Sequence, residues 1–140
     1  MSSLDRLQDD TTRWGKLGCV NVDPPRPLTT RERATLDLLL SPDFPGAEEL
    51  RSQVSSAVVV GRCDCGCPTI DFQVDAAAPP ARVPWRLAPS ELETLPTGGE
   101  PPDQVMLFVE DGRLSCLEYV AFDQRPAQWP DPRSMRVVGP

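Results

Sequence analysis

The hydrophobic and polar positions change period along the chain, and the changes mark its elements. In LTTRERATLDLLLSP, residues 28–42, Leu36, Leu39 and Leu40 recur at helical spacing on one face. Thr29 and Glu32 have the spacing of a capping box, in which each side chain satisfies a first-turn N–H. Ser41 precedes Pro42 and is pushed out of the helical region, so the helix is predicted to stop near residue 40. A second helix is predicted from Phe44 or Pro45, with Ala47, Leu50 and Val54 on one face, giving a short helical hairpin. From Ala57 the period becomes two. SAVVVGRC is mostly apolar and β-branched, and Ile70, Phe72 and Val74 alternate with Asp71, Gln73 and Asp75.

Turn chemistry joins these runs. Cys63 to Cys67, with Gly66 to accept a positive φ, fit a hairpin loop between the two strands, and Pro68 marks a bulge or the start of the second. Residues 82–87 form a weaker edge candidate, interrupted by Pro84, and LAPSELETLPTGGEPPD reads as a variable loop. In VMLFVEDGRLSCLEYVAF, Asp111-Gly112 supplies a type I′ turn between two apolar runs. The predicted fold is α+β: a helical hairpin packed on an antiparallel sheet of four or five strands. Residues 1–27, ending in DPPRP, read as an arm or tail; 28–125 read as one domain, and 126–140 as a proline-rich C-terminal tail.

At 140 residues one domain with its own core is the default. No run of eighteen apolar residues occurs and the opening lacks the apolar middle of a signal peptide, so the expectation is a cytoplasmic protein with no membrane contact. The net charge of −7 is concentrated: residues 89–123 hold eight acids and one base, against twelve and ten in 1–88 and one and three in 124–140. A nucleic-acid partner needs a basic surface, so the acidic total argues against one. It favours a basic protein partner.

Five cysteines, three of them alternating in GRCDCGCPTIDF, raise metal chemistry. On a straight strand alternate residues are about 6.6–6.8 Å apart, too far for their sulfurs to share an ion. Wrapped round a turn, the sulfurs of Cys63, Cys65 and Cys67 can converge on zinc, or on Cu(I), with Cys19 as the candidate fourth ligand; Cys116, an aspartate or water are the others. A reversible Cys63–Cys67 disulfide is a third use. The plain alternative, that these are small hydrophobes around a glycine turn, carries more weight from sequence alone. Without a histidine, no nucleophile–base pair of the usual kind can be built, which argues against an enzyme.

The runs RPLTTRERATLDLLLSPDFPGAEELRSQV, GRCDCGCPTIDFQV and GRLSCLEYVAFD resemble a group of small uncharacterised actinobacterial proteins with this order of elements. The resemblance spans about residues 26–133, implies a single domain and carries over no activity. The leading functional expectation is a non-enzymatic protein-binding module without cofactor, an immunity-type or regulatory partner of a basic protein. Glu91, Glu93, Glu110, Asp111, Glu118 and Trp129 are its candidate contacts. The alternative is a thiolate metal-binding or redox-sensing protein centred on Cys63, Cys65 and Cys67. Sequence does not give the oligomeric state.

Overall fold

The computed structural model describes residues 19–95, 98–99, 101–122 and 126–139. The part of the predicted arm before residue 19 lies outside them. The chain is α+β, as expected, but its antiparallel sheet has seven strands instead of four or five. In chain order these are β1 (Cys19–Pro27), β2 (Val58–Cys63), β3 (Ile70–Gln73), β4 (Glu91–Thr94), β5 (Gln104–Glu110), β6 (Arg113–Val120) and β7 (Met135–Val138). They lie side by side as β1-β2-β3-β6-β5-β4-β7.

The additional strands come from segments read as tails and loop. β1 is paired along β2 through Cys19↔Cys63 and Val20↔Arg62, loses register at 22–25, and resumes at Arg26↔Val59. Its prolines are tolerated because it is an edge strand. β4 lies within the predicted variable loop and is gripped between β5 and β7, with Leu92 opposite both Val105 and Val137. Residues 82–87 contribute no full strand; Leu87 makes a single bridge to Phe108.

Helix α1 (Thr30–Leu39) begins on the predicted capping box: Thr29 Oγ1 accepts from Glu32 N at 3.1 Å and Glu32 Oε1 accepts from Thr29 N at 2.9 Å. Helix α2 (Ala47–Gln53) starts later than expected, because Gly46 at φ +92° sits in the left-handed region just before it. The predicted helical hairpin is not formed. The second helix has only seven residues and turns into a 3-10 turn at Val54–Ser56. The chain after α1 is held instead by the Arg51 guanidinium, which donates to the carbonyls of Leu40 and Pro42. Leu36, Leu39, Leu40 and Leu50 join Val59, Phe72, Val105, Leu107 and Leu117 of the sheet in one core.

Two turns close as the sequence predicts. Asp111 (φ +52°) and Gly112 (φ +76°) connect the facing Glu110 and Arg113 of the β5–β6 hairpin. Between β2 and β3 the chain reverses through residues 64–69, with Gly66 at φ +91° and Cys63 N donating to Thr69 O at 3.3 Å. That reversal positions the candidate site.

Candidate metal centre

The thiol-bearing loop is short because β2 and β3 are already in register on either side of it, with Arg62 opposite Ile70. It is fastened from below by Thr69, a buried residue that sequence reasoning did not single out. Thr69 Oγ1 accepts from Tyr119 N at 3.0 Å on β6 and from the Cys67 thiol at 3.4 Å. Nothing in its local sequence marks it, since its role depends on a strand fifty residues away.

Within this loop the ligand atoms of Cys63, Cys65 and Cys67 all lie within 4.8 Å of one another. Cys63 and Cys65 are nearest, Sγ to Sγ 3.0 Å, and Cys67 N donates to Cys65 Sγ at 3.4 Å. Four sulfurs around a tetrahedral zinc at about 2.3 Å would stand about 3.8 Å apart, so the observed separations bracket what such a site needs. The sulfurs need shift only by about an ångström. Cys65 is exposed while Cys63 and Cys67 are half-buried, leaving an entry path for an ion.

The pairing expected for a disulfide, Cys63 with Cys67, is not the one the loop favours. Cys63 faces Thr69 across the reversal, and its nearest sulfur belongs to Cys65. Cys63 and Cys67 are both free thiols. Burial, and then the Cys65 thiol beside it, push the Cys63 thiol up to about 12. At neutral pH it is therefore a protonated thiol, a poor nucleophile for thiol exchange.

Of the possible fourth ligands, the backbone of Cys19 lies directly opposite Cys63 across β1 and β2. Its side chain is outside the described residues. Cys116 is fully buried in β6, where it faces Phe108 and Asp71 across neighbouring strands. Asp71 is also buried.

The acidic candidates do not converge. Glu91 and Glu93 lie on β4, and Glu93 is held by the Arg136 guanidinium, Nε to Oε1 2.8 Å. Glu110 and Asp111 sit at the far turn of the β5–β6 hairpin, and Glu118 lies mid-strand opposite Met106. Trp129, offered as a partner contact, instead docks on the domain. It is 4% exposed, its ring meets Tyr119 edge-on at 5.7 Å, and its carbonyl accepts from Arg31. No helix among the described residues is long and apolar enough to cross a membrane. No family model, curated protein or solved structure matches the chain.

Proposed function

We propose that the loop of residues 63–67, together with Cys19, is a thiolate site for one zinc ion. The observation that carries this reading is the convergence of three sulfurs within 4.8 Å on a reversal whose first residue has a fourth cysteine directly opposite it. Cys19 enters as the candidate fourth ligand through its backbone pairing with Cys63. Four thiolates suit a closed, structural zinc site; three alone would suit Cu(I). Thr69 acts as the supporting shell, orienting Cys67 through its hydroxyl. Such an ion would pin β1 to the β2–β3 reversal, coupling metal binding to folding of that edge.

Cobalt substitution tests the reading. Reduced protein, stripped with chelator and titrated with Co2+, is expected to develop thiolate-to-cobalt charge transfer and the d–d bands of a tetrahedral sulfur site, saturating at one ion per chain. Zinc should displace it. Cys19→Ser should weaken binding and alter the d–d bands, while Cys116→Ser should change neither. Absence of thiolate charge transfer in reduced wild-type protein would remove the proposal.

A second reading, binding of a basic protein, is supported by the acidic surplus of residues 89–123 and by Glu118 and Glu110, which make no ion pair among the described residues. Its test is capture from the native host at low salt, with release at high salt. Retention by a variant lacking all three loop cysteines would separate it from the metal reading.

A further inference from the structure

Beside the thiol loop, and sharing Cys67 and Thr69 with it, lies a cavity of about 610 Å3 between the amino end of α1, the segment from Cys67 to Ile70 and residues 127–129. Cavities that hold small organic ligands are of this size. Its wall is basic in an acidic protein. Arg26, Arg31 and Arg62 all line it, and Glu32 is its single carboxylate. Glu32 is spoken for by Arg26, NH1 to Oε1 and NH2 to Oε2 both 2.9 Å, so that pair is closed. Arg31 spends one nitrogen on the Trp129 carbonyl, at 2.9 Å, and lies within the electrostatic reach of Asp131 without pairing with it. Arg62 makes no ion pair among the described residues. Three arginines against one glutamate leave the wall with two surplus positive charges.

The start of α1 adds backbone donors to this wall. The capping box uses the first-turn N–H of Glu32, whereas those of Thr30 and Arg31 belong to the helix start that has no partner within the helix. Trp129, although buried, has an indole Nε1–H with no acceptor among the described residues. Pro68, Ile70 and Ala127 form the apolar part of the lining, beside Thr29, Cys67, Thr69 and Gln128.

From these features we infer that the cavity binds a small organic phosphate monoester. Its dianionic phosphate is held by Arg31, Arg62 and the amino end of α1, and its organic part lies against Pro68 and Ile70. The surplus charge of the wall matches a dianion. Guanidinium forks are suited to phosphate oxygens, and the start of a helix adds N–H groups and a favourable dipole. The volume exceeds what inorganic phosphate alone would fill, and the apolar lining gives the remainder to carbon.

Calorimetric titration of the full chain with phenyl phosphate, inorganic phosphate and phenol tests the inference. Chelator is kept present, so that the result stands apart from that for zinc. Phenyl phosphate is expected to bind saturably with Kd of about 1 mM or tighter. Inorganic phosphate should bind more weakly and phenol not at all. Arg62→Ala and Arg31→Ala should each weaken phenyl phosphate by about tenfold, or about 1.4 kcal/mol. Circular dichroism establishes that each variant is folded; Arg62 is exposed, so its truncation leaves the core intact. No saturable binding of phenyl phosphate, equal affinity for inorganic phosphate, or unchanged affinity in folded Arg62→Ala would each overturn the assignment.

Discussion

Gln53 ties the second helix to the β5–β6 turn, and its removal gives a calculable loss. The side chain is fully buried; its Nε2 donates to Pro79 O at 3.0 Å and Gly112 O at 2.9 Å, and its Oε1 accepts from Leu114 N at 2.9 Å. In Gln53→Ala the three groups fare differently. Pro79 is exposed and its carbonyl can turn to water, and Gly112 O keeps the Ala81 N–H at 2.8 Å. Leu114 N–H is left buried without an acceptor, at about 1–3 kcal/mol, and the other two bonds add about 0.5–1 kcal/mol each. The expected loss is about 3 kcal/mol. With a urea slope of about 1.5 kcal/mol/M the midpoint should fall by about 2 M. Gln53→Glu sharpens the test, since it points a carboxylate oxygen at two carbonyls and must take a proton to donate to either. Its folded-state pKa is therefore raised, and its stability deficit should be smaller at pH 5 than at pH 8. A loss below about 1 kcal/mol in Gln53→Ala, or a pH-independent deficit in Gln53→Glu, would refute this account of the turn.

Gly112→Ala should be more damaging than its size suggests, because a Cβ there would stand within contact of the Ala81 carbonyl oxygen on a residue at φ +76°; equilibrium unfolding should show a loss of at least about 2 kcal/mol. Glu32 loses ionisation to burial but gains more from the Arg26 guanidinium and Thr29 N–H, so its pKa lies below the usual carboxylate range. Its contribution is fully present above the unfolded value of about 4.3 and is lost as pH falls through the lower folded value, so Glu32→Gln should flatten the acid limb of a stability profile below about pH 4.5. Thr69→Val strands the Tyr119 N–H and frees Cys67, and should lower cobalt affinity by about 10-fold or more while leaving one site per chain. Trp129→Ala removes the ring packed on Tyr119 and should cost about 3–5 kcal/mol in chemical denaturation.

What could be read in the sequence was local. Thr29 and Glu32 cap α1 through three residues of separation, Leu36 and Leu39 repeat over one turn, and Asp111-Gly112 meets the demand of a two-residue turn by itself. The reversal at Gly66 and the convergence of the three loop thiols followed from the same short range. What escaped depends on partners far along the chain. β4 and β7 have four residues each, too few to show a period, and are strands because Leu92 meets Val105 and Val137. Prolines disguised β1, since they exclude an interior strand but not an outer one. The arginines of the cavity are separated by up to 36 positions, from Arg26 to Arg62, and only the pairing of β1 with β2 and the placement of α1 bring them to one wall.

The composition of the sheet's two outermost strands bears on how the protein behaves at high concentration. β1 carries Pro24, Pro25 and Pro27, which have no amide hydrogen to offer, and it leaves its register midway. β7 is only four residues long, and one of them is the exposed Arg136. An incoming chain would find no long row of unpaired donors on either side, so both borders are poor templates for fibre growth.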